Sequence, residues 1–246
     1  DEVFQLHTFK RKGGGDKVYV RPEWKNTTEL SDKAIKWFEG RGISQSTLNR
    51  LKVSEGIEWM PQTSKNENTI QFNYFINNEL INIKYRDGRK NFKLVKDAEK
   101  VFYNLDNIVG HEWCIIVEGE MDALSFYEAG IHNVISVPNG ATLNRLNLDY
   151  LDNCIEYFDD KSKIILATDS DEAGQNLQQE LIRRFGAEVC WLASFGEHKD
   201  ANDFLIASGR NALRDAIHNA KPVPLENVVT VGDINEELEE FINKSY

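Results

Sequence analysis

The stretch "KIILATDSDEAGQNL", residues 163–177, decides how the chain reads. An apolar run of strand length ends in Asp169 and Asp171, and an amphipathic stretch follows at once. That is a buried strand running into a helix, with two carboxylates at the turn and no base beside them to offset them. The same cadence recurs on either side. "WCIIVEG" is a strand and "EMDALSFYEAG" a helix; "NVISV" is a strand, with a helix near 148–160; "EVCWLA" is a strand before one or two helices in "DANDFLIASGRNALRDAIHNA". Short apolar strands alternating with helices predict an α/β fold whose parallel sheet is flanked by helices.

Upstream the period differs. "KRKGGGDK" and "RPEW" read as a flexible arm over residues 1–28. "LSDKAIKWFEGRGIS" predicts a short helix capped by Ser31, with Ile35, Trp37 and Phe38 apolar and glycines ending it; "SQSTLNRLKV" predicts a second. "TIQFNYFINNELINIKYRD" alternates around Asn77 and Asn78, a hairpin signal. Residues 29–111 are therefore expected as a smaller α+β subdomain and 112–208 as the parallel α/β domain. Residues 209–246 are expected as C-terminal helices and a linker with an acidic tail. The aspartate at position 1 suggests a piece of a longer chain.

Charge divides along the same line. Residues 1–111 hold 19 Lys/Arg against 15 Asp/Glu, and residues 112–246 hold 10 against 25, giving +4 and −15, the net −11. This excludes a uniformly basic nucleic-acid coat and suits a polyanion surface beside a cation site, or simply two ordinary surfaces. Cys114, Cys154 and Cys190 lie far apart in apolar segments, as reduced core residues of an intracellular protein do. With no CxxC the chain carries no zinc ribbon, and no apolar run approaches the roughly 20 residues that span a bilayer.

In open parallel sheets, functional groups collect at the carboxyl ends of strands. Here Glu118 ends one strand with Asp122 one helical turn on, Asp169 and Asp171 end another, and the loop "GEHKDANDF" brings Asp200 and Asp203. Singly, Asp122 and Asp171 suit helix N-terminal dipoles, and Asp203 suits solvent. Jointly the carboxylates repel, Lys199 is the only base close in sequence, and an oxygen-only set favours Mg²⁺ or Mn²⁺.

"VEGEMDAL" followed by "ATDSDEAG" resembles the Toprim domain of bacterial-type primases, topoisomerases and some nucleases. "KYRDGRKNFK", "VPNGA" and "KDANDFL" narrow the resemblance to the primase part of phage and Twinkle-type primase-helicases, over about residues 30–210. It implies Toprim-like topology, with Glu118, Asp122, Asp169, Asp171 and Asp200 as metal ligands and Glu118, Asp169 and Asp171 as catalytic acids. Glu118 is either a ligand or the acceptor of the hydroxyl proton. Lys84, Arg86, Lys90, Asn139, Gly140 and Lys199 would meet nucleotide or template. Arg89 and Lys93 extend that basic turn, Tyr85 and Phe92 suit either stacking on bases or the core, and Lys10, Arg11 and Lys12 suit a solvated arm. The implied activity is RNA primer synthesis on single-stranded DNA from ribonucleoside triphosphates. The implied partners are template, RNA primer and a helicase domain in a ring oligomer, with no membrane. The setting is bacterial or phage-infected cytoplasm, or an organelle matrix. A Toprim nuclease and a non-catalytic single-strand-binding platform are the alternatives.

Overall fold

The computed structural model describes residues 6–8, 18–23, 30–139 and 148–224. Within the expected arm, β1 (Leu6–Thr8) and β2 (Val18–Val20) pair antiparallel. The Val20 N–H donates to Asp97 O at 3.0 Å, and Arg21 forms an ion pair with Glu99 at 3.2 Å. The end of this lead is thus tied to the body, because two β-branched residues flanking a tyrosine favour strand over linker.

Helices α1 (Asp32–Glu39) and α2 (Gln45–Arg50) start at Ser31 and Ser44, whose hydroxyls accept from Ala34 N and Thr47 N. Gly42, at φ +74°, turns the chain between them, and Ala34 and Phe38 face inward. Trp37 stays half-exposed, its ring edge-on to Phe38 at 4.7 Å. A four-stranded antiparallel sheet follows, in the order β3 (Ser54–Met60), β4 (Lys65–Ile76), β5 (Glu79–Asp87), β6 (Phe92–Leu94). The β4–β5 hairpin turns at Asn77 and Asn78, both left-handed at φ 52° and 63° as this turn type requires. The Asp106 carboxylate accepts from both their N–H groups, at 2.8 and 3.1 Å. Strand β3 has no counterpart in the sequence reading. It is an edge strand whose Ile57 and Trp59 are exposed, so it lacks an apolar face.

The second half alternates as expected: β7 (Trp113–Val117), α3 (Glu120–Glu128), β8 (Val134–Ser136), α4 (Asp149–Cys154), β9 (Lys163–Ala167), α5 (Glu172–Phe185), β10 (Cys190–Leu192), α6 (Ala201–His218) and β11 (Lys221–Pro222). Its sheet order is β11-β10-β9-β7-β8, parallel except for the edge strand β11. The helix expected over 148–160 is α4 plus a 3₁₀ turn, Ile155–Phe158. Helix α6 crosses the boundary expected at 208, with a break at Gly209 (φ 83°, ψ 174°).

Both halves share one core. Phe38, Leu48, Phe72, Tyr74 and Tyr103 belong to the same buried cluster as Ile115, Leu124, Ile135 and Leu166. The three cysteines are free and buried, and burial pushes the Cys114 and Cys190 thiols up to about 12. Among the described residues no helix is long and apolar enough to cross a membrane.

Glu128, at the end of α3, ties the helices together. Its carboxylate accepts from Ser44 N at 3.0 Å, from the Ser44 and Thr47 hydroxyls, and from Arg210. Burial alone would raise its proton affinity, but these donors hold it below the ordinary 4.5. A depressed folded value stabilises the fold above the unfolded value, and that stabilisation is lost as pH falls through the folded one. Melting curves of Glu128→Gln should therefore lie below wild type at neutral pH and converge with it in acid.

Candidate active site

Strands β7 and β9 are adjacent and parallel, with Val117 opposite Ala167. Glu118 and the Thr168-Asp169 turn therefore leave the sheet side by side. Next door, β10 runs with β9, and the loop after it is tied back by the Ser170 N–H donating to Lys199 O at 2.9 Å. That bond brings Lys199 and Asp200 to the same rim. Asp122 lies one turn into α3, 6% exposed, where its Oδ1 accepts from Asn202 N at 3.1 Å.

The acids are held in different ways. Asp171 caps α5 by accepting from Gly174 N at 3.0 Å, and Asp200 caps α6 by accepting from Asp203 N at 2.8 Å. Lys199 Nζ sits 3.3 Å from Asp169 and 3.1 Å from Asp171. Burial, then Asp200, Asp169 and Glu118, drive Asp122 well above the usual carboxylate range. Burial also raises Asp169, reinforced by Asp200 and Asp171 and opposed by Lys199. Asp171 is lowered, first by the Gly174 N–H and then by Lys199. Carboxylates from three loops thus share one electrostatic site. Asp203 is exposed, as its helix position suggested.

Lys199, expected at a nucleotide, lies across two of the acids. Among the described residues no three His, Cys, Asp or Glu side chains form a group that could hold an ion. Two acids are turned to helix N-termini, Asp122 to the Asn202 N–H, and Lys199 supplies counter-charge. The donor set nonetheless fits a hard divalent cation: it is all carboxylate oxygen, and Asp122 is buried among like charges. The His198 ring lies 5.3 Å from that of Phe204.

The basic residues divide. Lys84 is buried rather than open to template, its Nζ 2.8 and 3.0 Å from the two Glu120 oxygens. The Tyr74 hydroxyl also donates to Glu120. Strand β5 is covered on both faces from Ile81 to Tyr85, so its alternation does not reveal that Lys84 points inward. Arg86 lies over the Trp37 ring at 4.5 Å, with Arg41 over the same ring at 5.1 Å. Burial, then the like charge of Arg41, weakens the hold of Arg86 on its proton. Lys90 and Arg89 are exposed in the β5–β6 turn, with Lys90 left-handed at φ 65°. Lys93 pairs with Glu58 at 2.6 Å and lies over Tyr85, which is buried, whereas Phe92 is exposed. Asn139 follows β8, half-exposed. Gly140 and Lys10, Arg11 and Lys12 lie outside the described residues. Glu120, Arg41 and Asn202 were not singled out from the sequence; Glu120, between Glu118 and Asp122, carried the clearest signal.

Gly174 shows how closely the site is built. A Cβ there would lie 2.2 Å from Asp169 O, so helix α5 starts against the backbone of the acid before it. Gly174→Ala should displace Asp169 and cost about 1–3 kcal/mol, as overpacking does, read as a lower melting temperature.

Residues 115–205 match the Toprim_2 family, described as Toprim-like. The Arabidopsis thaliana "Primase homolog protein" is 39% identical over 215 residues, 80% of this chain and 62% of its own length. The Arabidopsis thaliana "Twinkle homolog protein, chloroplastic/mitochondrial" is 33% identical over 234 residues, 88% of this chain and 32% of its own length. The chain thus spans less than two thirds of either relative. Among solved structures, the primase fragment of the bacteriophage T7 primase-helicase is similar, with TM-score 0.59 and 25% identity, over 73% of this chain and 72% of that one. The fold, the strand-end acids and these likenesses agree: residues 115–205 carry a Toprim-like domain, and the chain is similar to the primase parts of Twinkle-type and phage primase-helicases.

Proposed function

We propose that this chain is the catalytic part of a DNA primase, making RNA primers on single-stranded DNA from ribonucleoside triphosphates. The observation that carries this reading is the register of β7 against β9, whose ends lead into Glu118 and the Thr168-Asp169 turn, together with Asp122, which feels the charges of Asp200, Asp169 and Glu118. In the reaction a 3′-hydroxyl oxygen forms a bond to the α-phosphorus of the incoming nucleotide, and the bond to the bridging oxygen of pyrophosphate breaks. The hydroxyl proton leaves to a base, for which Glu118 is the candidate unless it serves as a metal ligand. A bound Mg²⁺ or Mn²⁺ would supply charge neutralisation for those phosphates. Asp122, Asp169 and Asp171 would hold it, with Glu118 and Asp200 completing the rim. The rigid sheet fixes these groups before substrate arrives. Arg86, with Arg41 beside it on Trp37, and exposed Lys90 present positive charge to triphosphate and template. Lys199, now 3.3 Å from Asp169 and 3.1 Å from Asp171, would yield those acids to such a divalent ion and meet phosphate instead. A helicase domain in a longer chain and a setting where DNA is replicated, a bacterial or phage-infected cell or an organelle, belong to the same proposal.

A second reading has its own support. Lys199 already neutralises Asp169 and Asp171, which suits a platform that holds single-stranded DNA without chemistry. The test is extension of a preformed short primer on single-stranded template with ribonucleotides and Mg²⁺. Extension establishes the primase. Cleavage of the strand would mark a Toprim nuclease, and retention of the strand without chemistry would mark the platform.

A further inference from the structure

We propose that Asn202 is a positioning residue that sets Asp122 and Arg41 relative to one another, so that the cation site and the arginine pair are built as one unit. The inference rests on the metal-binding part of the reading above. Asn202 is 1% exposed and holds both sides at once. Its backbone N–H donates to Asp122 Oδ1 at 3.1 Å. Its side-chain Oδ1 accepts from Arg41 Nη1 at 2.9 Å, while Nδ2 donates to Arg41 O at 3.0 Å and to Ser125 Oγ at 2.9 Å. The carboxamide thus grips both ends of Arg41, backbone and guanidinium. It is the one side-chain group of this length with a donor and an acceptor for that purpose: Asp lacks the donor, Leu lacks both, and Gln is a methylene too long. Ser125 fixes the amide from below, its own hydroxyl donating to Met121 O at 2.8 Å on the turn that carries Asp122.

The consequence reaches the basic face. Arg41 lies over Trp37 beside Arg86, two like charges at one ring. Left to itself Arg41 would swing away from Arg86, and its bonds to Asn202 hold it there against that repulsion. Arg41 and Asn202 are 161 residues apart in sequence, so this single amide joins the helical lead of the first half to the acid rim of the second. Strain on one side is passed to the other through a group with no slack, as outer partners of metal ligands pass it to the metal.

The test is the Mn²⁺ binding isotherm, without nucleotide, for the whole chain and three variants, each measured well below its melting temperature. Asn202→Ala keeps the backbone N–H on Asp122 but loses the amide bonds that hold that N–H in place, and should weaken Mn²⁺ by up to about tenfold. Arg41→Lys keeps the charge and leaves Asn202 in place, but loses the fork that meets Oδ1. It should weaken Mn²⁺ in the same direction by a smaller factor, and it carries the test if Asn202→Ala does not fold. Ser125→Ala removes one bond of the amide and leaves both bonds to Arg41, so it should melt earlier but lose clearly less Mn²⁺ affinity than Asn202→Ala. Unchanged affinity in Arg41→Lys overturns the proposal, as does a loss in Ser125→Ala equal to that in Asn202→Ala, since packing alone would then be enough. If wild type retains no Mn²⁺, both this inference and the metal reading fail. If Mn²⁺ responds as expected but no variant or wild type extends a primer, the coupling stands and the primase reading falls.

Discussion

Asp169→Asn is expected to lower primer extension by two to three orders of magnitude, about the loss seen when one preorganised electrostatic group is removed from an active site. The amide keeps the shape of the side chain and removes its charge. Because burial and the neighbouring Asp200 and Asp171 already disfavour that charge, the fold should not suffer. The variant should melt at or slightly above the wild-type temperature. Stability up and activity gone is the signature of a group kept for chemistry at a cost to the fold. Extension assays with a preformed primer, run beside thermal melts, read both. Full activity in the variant would remove Asp169 from the mechanism, and collapse of the fold would make the loss uninformative about chemistry.

Lys84→Met should produce the largest loss of stability, about 3–5 kcal/mol, because it leaves Glu120 as a buried carboxylate without its counter-charge. Tyr74 would still donate to Glu120, but one neutral hydroxyl does not replace an ammonium that spans both oxygens. The double variant Lys84→Met with Glu120→Leu should recover much of the loss, since replacing both partners removes the orphaned charge. Denaturant melts give the comparison. A fully stable Lys84→Met with weak template binding would instead support the nucleotide or template contact first expected for Lys84.

The parts of this protein that were legible in the sequence are those set by local patterns. Alternating apolar strands and amphipathic helices gave the parallel sheet. Asn77-Asn78 gave the hairpin, because two adjacent left-handed residues select that turn. Carboxylates at the ends of two strands gave the rim, because register and pleat leave them nowhere else to go. What stayed hidden depends on the third dimension. Strand β3 has no apolar face of its own and is recognised only through its partner β4. The inward turn of Lys84 follows from a strand covered on both sides, where period two carries no information about exposure. Lys199 reaches acids some thirty residues upstream through a loop whose path no local signal fixes. Arg41 and Asn202 meet across most of the chain, and neither residue type advertises such a contact.

The continuous apolar interior described above has an implication for anyone who would dissect or recombine this protein. Phe38, Leu48, Phe72 and Tyr74 are contributed by one half and meet Ile115 and Leu124 from the other. A cut in the connection near residue 111 would bare both faces of that seam to water. Neither piece would then be a self-sufficient module, and a transplanted Toprim-like half would need its amino-terminal companion to come with it.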